Sequence, residues 1–394
     1  MNIEWKIPMN SFKVPRIRFK RFDSVWVENR IADIVKISAG GDVDKERMKE
    51  SGKYPVIANA LTKKGIVGFY DDYKVKAPAV TVTGRGDVGY AVARHENFTP
   101  VVRLLTLQSD NIDVDYLENQ INSMKILNES TGVPQLTAPQ LGNYKVYHPE
   151  IEEQSAIGSL FRTLDDLLSC YKDNLANYQS FKVAVLAKMF PKAGQTVPEI
   201  RLDGFEGEWE LREINDLADD FQSGGTPKTN VQEYWDGDIP WIQSSDLGIN
   251  CLFEIKVQKS ISEKGLENSS AKIIPKDSIA VVTRVGVGKL AVMRHEYATS
   301  QDFLSLSNLK SNIEFTAYLL YRLLQKEVNQ LQGTSIKGIT KVELLSKKVL
   351  IPSLPEQQAI GAYFSNLDNL INSYREKISQ LETLKKKLLQ EMFI

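Results

Sequence analysis

The run Gly84-Arg-Gly86-Asp-Val-Gly89 matches G-x-G-x-x-G letter for letter. A dinucleotide site on that spacing needs a helix to open at the last glycine, inside a βαβ unit, so that the helix N-terminus meets the pyrophosphate. The residues that follow, Tyr90-Ala-Val-Ala93, read as a strand, so the run predicts a tight hairpin instead. Gly288-Lys289 is followed by Leu290 and lacks the upstream glycine of a P-loop, which argues against nucleotide binding. Of the three histidines, His95, His148 and His295, none neighbours Cys170 or Cys251, which argues against zinc. The elements Arg94-His-Glu96 and Arg294-His-Glu296 bring an acid and a base together, but a polar turn at a strand end accounts for both. Neither an Asn-Pro-Pro-Tyr or Asp-Pro-Pro-Tyr amino-methyltransferase motif nor a nuclease carboxylate–lysine cluster is found. No catalytic, cofactor-binding or metal-binding residue is therefore expected.

What remains is the chemistry of recognition. Arg, Lys, Asn, Gln, Ser and Thr are the side chains that read base edges and grip phosphates. They recur here in loops punctuated by glycine. The candidates are Lys63, Lys64 and Arg85 in the first half of the chain, and Thr226, Lys228, Gln243, Ser244, Ser245, Arg284 and Lys289 in the second.

These loops belong to elements that occur twice. The run from Pro15 to Trp26 (PRIRFKRFDSVW) returns 183 residues later from Pro198 to Trp209 (PEIRLDGFEGEW). Ala91-Val-Ala-Arg-His-Glu96 returns 200 residues later from Ala291, and Glu153-Gln-Ser-Ala-Ile-Gly158 returns 203 residues later from Glu356. Three matches in one order identify an internal duplication. Short apolar runs such as Tyr54-Pro-Val-Ile57, Ala79-Val-Thr-Val-Thr83 and Ser278-Ile-Ala-Val-Val-Thr283, with a helix over 315–324, predict mixed modules over roughly 15–148 and 198–352.

After each Glu-Gln element comes a long amphipathic stretch. Phe161, Leu164, Leu168, Tyr171, Leu175, Tyr178, Lys182, Val185 and Met189 follow alternating spacings of three and four. That is the a/d seam of a coiled coil. The matched positions are Phe364, Leu367, Ile371, Tyr374, Ile378, Leu381, Lys385, Leu388 and Met392, so that lysine meets lysine at the polar interruption. Two stretches of ~36 residues make helices of ~54 Å, longer than a small module needs. Mutual pairing through Phe161, Leu164, Leu168, Tyr171 and Leu175 with Phe364, Leu367, Ile371, Tyr374 and Ile378 is the expectation. The matched lysines would mark its register. The fold class expected is α+β: two similar modules separated by two long antiparallel coiled-coil helices, related by a pseudo-two-fold repeat.

At 394 residues the chain is too long for one ordinary core. Two cysteines are too few for a disulfide framework and point to a reducing cytoplasm. The N-terminal residues lack the apolar core of a signal peptide, and no window approaches a membrane span, so no membrane partner is expected. A net charge of −1 is unlike that of an isolated DNA-binding domain. A DNA reader with this balance would confine its positive charge to one face or share phosphate contacts with partner subunits.

The order of motifs resembles that of the specificity subunits of type I restriction-modification systems, over essentially the whole chain. The carriers are Ser223-Gly-Gly-Thr-Pro227, Asp238-Ile-Pro-Trp-Ile242 with Asp246, Arg284-Val-Gly-Val-Gly-Lys289, Gly333-Thr-Ser-Ile-Lys-Gly-Ile339 and Ile351-Pro-Ser-Leu-Pro-Glu-Gln-Gln358. Ser335 and Lys337 of the fourth motif join the candidate DNA contacts. The first module departs from the pattern: Ala39-Gly-Gly41 is not followed by Thr-Pro, and Lys53-Tyr-Pro-Val-Ile57 stands where no Pro-Trp element appears. The resemblance implies target recognition domains at 1–150 and 193–353. A central long helix at 151–192 and a C-terminal one at 354–394 would set the spacing and dock partners. Each domain would read one half of a bipartite site in double-stranded DNA. Two methyltransferase (modification) subunits would supply S-adenosylmethionine, and restriction subunits ATP and magnesium. A smaller restriction system with a fused nuclease–methylase partner, a coiled-coil adaptor that binds no DNA, and an enzyme with an unfamiliar site are the competing expectations.

Overall fold

A computed structural model describes residues 5–6, 14–124, 126, 134–330 and 338–393 of the chain. It divides into two compact units, one of residues 1–174 with 374–394 and one of residues 175–373.

In the first unit a four-stranded antiparallel sheet runs Lys36–Ala39, Leu105–Gln108, Ala79–Val82, Ala91–Arg94 across its width. All four residues of Ala79–Val82 are buried, as its continuous apolar character requires of a central strand. A second sheet pairs Ile66–Tyr70, Tyr54–Ile57 and Thr99–Pro100, the last in parallel. The helix Val114–Ser123, capped by the Asp113 carboxylate on the Tyr116 N–H, packs on Ala91–Arg94.

The second unit repeats this plan. Its four-stranded sheet runs Ala218–Ser223, Phe303–Leu309, Ser278–Val282, Leu290–Met293. Its second sheet runs Lys259–Ile261, Trp235–Ile242, Ala298–Thr299, and its helix is Ile313–Gln330. The G-x-G-x-x-G run is the predicted hairpin turn between Ala79–Val82 and Ala91–Arg94, with Gly86 and Gly89 at φ of 79° and 86°.

The long helices are Ile151–Lys188 and Leu354–Met392, and both contribute to each unit. In the first unit they run antiparallel. Phe161 meets Phe393 with ring centroids 5.7 Å apart, Asp165 pairs with Lys385 at 2.5 Å, and Tyr171 meets Tyr374 at 5.5 Å. The second unit shows the same sense, with Lys182 on Asp368 at 2.5 Å and Phe190 near Phe364 at 6.4 Å. Phe161, Leu164, Leu168, Phe364, Leu367, Ile371 and Ile378 are buried, while Tyr171, Leu175 and Tyr374 are half-buried. Each seam lysine thus reaches the aspartate at the matched position of the other helix.

The shared motifs tie these helices to the modules. In the first unit the Ile17 N–H donates to the Glu391 carbonyl at the end of one long helix, at 3.0 Å. The next residue, Arg18, grips Glu153 at the start of the other through two bonds of 2.6 Å. In the second unit the Ile200 N–H caps the Lys188 carbonyl at 3.1 Å, and Arg201 holds Glu356 at 2.8 and 2.7 Å. Bidentate guanidinium–carboxylate pairs of this kind fix geometry as well as charge. The adjoining glutamines lock the module helices: Gln154 Oε1 accepts from the Asp113 N–H and Gln357 Oε1 from the Asn312 N–H, both at 3.0 Å. Gly158 and Gly361 let the same helix starts approach, since a Cβ on either would lie 2.5 Å from the capping oxygen of Asp113 or Asn312.

Candidate nucleic-acid interface

In the second unit the loop after Ala218–Ser223 is shaped by close backbone packing. A Cβ at Gly224 would sit 2.0 Å from Thr299 Oγ1, so glycine is required there. The indole N–H of Trp241 donates to the Gly225 carbonyl at 3.0 Å, and that of Trp235 to the Lys228 carbonyl at 3.2 Å. The two indoles meet edge-on at 5.1 Å, with the Lys259 ammonium over both rings. Thr226 is half-buried and its hydroxyl donates to Gln301 Oε1 at 2.5 Å, whereas Lys228 is exposed.

The turn after Trp235–Ile242 carries Gln243, Ser244 and Ser245. Its backbone is set by the Asp246 carboxylate, which accepts from the Gln243 N–H at 3.0 Å. Lys289 is half-buried, and its ammonium donates to the Ser244 carbonyl at 3.1 Å. Arg284 is exposed on the neighbouring hairpin, one wall of an open cleft of about 920 Å³ lined also by Ser223, Gly224, Gln301, Gly338 and Lys341. The structure therefore gathers Arg284, Lys289 and Ser244 in one place, with Thr226 close by through Gln301. Ser335 and Lys337 lie outside the described residues; the adjoining Gly338 rests against Arg284. Gln301, Lys341 and Lys259 were not singled out from the sequence. Gln301 could have been, since it lies a few residues past the duplicated Arg-His-Glu element.

In the first unit Lys63 and Lys64 are exposed in the turn Thr62–Gly65, and Arg85 is exposed on the hairpin after Ala79–Val82. Asn59 links the two loops: it follows the strand that leads to the lysines, and its Oδ1 accepts from the Gly84 N–H at 2.8 Å. Arg85 bridges to Gln135, and the exposed Arg103 lies beside it, its carbonyl oxygen 2.2 Å from where a Gly84 Cβ would stand. Arg103 carried no signal beyond its residue type. The strand Tyr54–Ile57 occupies the place of Trp235–Ile242, because Val56 and Trp241 both pair in parallel with the strand that follows the hairpin.

The Arg-His-Glu elements diverge. Arg94 is buried, while Arg294 pairs with Asp277 at 3.0 Å and with Glu314. His95 Nε2 lies 2.9 Å from Asp115 at the surface. Among the described residues no group of three or more His, Cys, Asp or Glu is placed to hold a metal ion. Among the described residues no helix is long and apolar enough to cross a membrane.

A family model described as the type I restriction modification DNA specificity domain matches residues 23–177 and again 206–383. The type I restriction enzyme MjaIX specificity subunit of Methanocaldococcus jannaschii is 28% identical over 194 residues, which cover 48% of this chain and 44% of that one. A type I restriction enzyme specificity subunit of Escherichia coli is 28% identical over 192 residues, covering 46% of each chain. These matches thus span less than half the length of either relative. The crystal structure of a type I restriction-modification S subunit from M. genitalium superposes with a TM-score of 0.69 at 16% identity, over 97% of this chain and 99% of that one, a likeness of fold.

Proposed function

The chain belongs to the type I restriction modification DNA specificity family, and from that premise we propose that it selects the DNA sequence on which partner subunits act. Each unit reads one half of a bipartite target through the loops described above. The paired helices fix the interval between the halves and dock two methyltransferase subunits. Methylation, and cleavage by restriction subunits, belongs to those partners, with S-adenosylmethionine, ATP and magnesium bound there.

The observation that carries this reading is that the family match occurs twice, once per module. Supporting it, each module presents exposed basic groups, Lys63, Lys64 and Arg85 in one and Lys228 and Arg284 in the other, on loops whose backbones are held by hydrogen bonds from within the module. Such loops bear donors with room to meet phosphates and base edges. The partners' share of the phosphate contacts offsets the net charge of −1.

The test is a salt titration of DNA binding by the chain assembled with its modification subunits. With six to ten phosphate contacts, affinity falls about 10³- to 10⁵-fold between 50 and 200 mM salt. Duplexes carrying the motif methylated in the source genome should bind more tightly than scrambled ones. Weak binding, indifferent to both salt and sequence, would instead identify an adaptor with no DNA-reading role.

A further inference from the structure

Three consecutive residues of the first unit, Lys63, Lys64 and Gly65, have left-handed backbone, with φ of 49°, 51° and 81°. Glycine is needed at the third, where a Cβ would lie 2.7 Å from the Ala58 carbonyl oxygen. For two lysines in succession the conformation is unfavourable, since an L side chain crowds the following carbonyl there. It persists only where surrounding bonds over-determine it, and such strain gathers at functional loops.

Those bonds are on hand. The Ala58 N–H donates to the Gly65 carbonyl at 2.8 Å and closes the base of the turn. Arg94 reaches its apex: Nη2 donates to the Lys64 carbonyl at 2.7 Å, while Nε is held by Thr81 Oγ1 at 2.9 Å. Arg94 is 9% exposed and, among the described residues, forms no ion pair. Burial brings its guanidinium down to about 10, which leaves it charged at neutral pH. Burying a cation against a neutral carbonyl is costly unless its hydrogen bonds are made. Here they fasten the peptide between the second lysine and Gly65. The second unit has a parallel device in Lys289, whose ammonium holds the Ser244 carbonyl in the loop after the matched strand.

We propose that Arg94 is a positioning residue for DNA binding by the first module: by fixing the left-handed turn, it presents Lys63 and Lys64 as a preset pair to neighbouring phosphates of the DNA backbone. The inference rests on the DNA-reading function proposed above. Phosphates are the chosen partner because an ammonium is a compact point charge without the planar fork that reads guanine or carboxylate edges. Both lysines are exposed and, among the described residues, neither has an ion-pair partner. Presetting them reduces the ordering cost paid on binding.

The experiment measures DNA affinity of the complex assembled with its modification subunits, from 50 to 200 mM salt, with folding checked by thermal unfolding. Lys63→Gln with Lys64→Gln should make the log–log salt slope shallower by about two units, at about 0.9 per phosphate contact, on any sequence. Arg94→Met, although buried, should shift the slope in the same direction by at least about one unit, and should add nothing to the double glutamine variant. Arg94→Lys keeps the buried charge but cannot span both acceptors, and is read the same way if the methionine variant does not fold. A wild-type slope in the Arg94 variants, or an equal shift with and without the two lysines, would overturn the inference while leaving the DNA-reading function intact. A wild-type complex without salt-dependent DNA affinity would remove both.

Discussion

Arg18→Met isolates the ion pair that joins the first module to its helices. Arg18 and Glu153 are 3% and 1% exposed, joined by two bonds of 2.6 Å, and a third guanidinium contact to Ser24 is long, at 3.4 Å. Removing the arginine strands a carboxylate with almost no access to water. Breaking one side of such a buried pair costs about 3–5 kcal/mol. For a unit of 150–250 residues, each kcal/mol moves Tm by roughly 2–4 °C, so a fall of about 6–20 °C is expected. Replacing both partners, Arg18→Met with Glu153→Met, removes the orphaned charge and should restore stability to within about 1–2 kcal/mol of the native chain. Thermal unfolding gives the magnitude, and amide hydrogen exchange assigns the loss to the first unit. Arg201 is 16% exposed against 1% for Glu356, so Arg201→Met in the second unit should cost less. A single variant losing under about 1 kcal/mol, or a double variant no more stable than the single, would refute the reasoning.

Burial pushes the Glu118 carboxyl up from 4.5 to about 7, reinforced by Asp165 and Asp115 and opposed by the Ala93 N–H and Lys385. The folded chain thus keeps a proton that the unfolded chain loses, so stability falls as pH rises from about 4.5 to 7 and is level above that. Glu118→Gln should flatten this window and stabilise the chain at pH 8 by about 1–3 kcal/mol in chemical denaturation; a pH profile parallel to wild type would contradict it. Gly361→Ala, despite the ~1 kcal/mol gain in helix propensity, should lose about 1–3 kcal/mol, because the new Cβ meets Asn312 Oδ1 at 2.5 Å; a rise in Tm would exclude that contact. Lys182→Leu takes the cation from Asp368, which keeps only the Tyr318 hydroxyl at 2.7 Å among the contacts described, and should cost about 1–3 kcal/mol, more than Lys385→Leu; the lysine side chains are 11% and 25% exposed, and the reverse order in urea unfolding would be inconsistent with the seam described.

Much of the architecture was legible because it was written twice. The Glu-Gln-x-Ala-Ile-Gly letters stood out as a repeat, yet their work was hidden. Their partners Arg18 and Asp113 lie far away in sequence, and nothing local says that a glutamine amide will lock a distant helix start. The seam lysines read as register marks; that each would find an aspartate on the other helix required the antiparallel alignment. The Pro-Trp letters are absent from the first module because one apolar side chain has changed, although Tyr54-Pro-Val-Ile57 reads as a strand. Strand pairing depends on backbone and position, so Val56 fills the place of Trp241 despite the lost letter. The candidate interface was the least legible part. Residue types nominated Lys289 as a DNA contact, and no local signal showed that its ammonium also holds the Ser244 carbonyl. Lys63 and Lys64 gave no warning of a left-handed turn, which depends on a buried arginine some thirty residues away.

The central claim is that one module reads one half of a split DNA site. Exchanging residues 15–148 for the matching module of a relative, assembling the complex and mapping the methylated sequence tests it most directly. The account predicts that one half of the recognised sequence changes while the other half stays as it was. A change in both halves, or in neither, would contradict it.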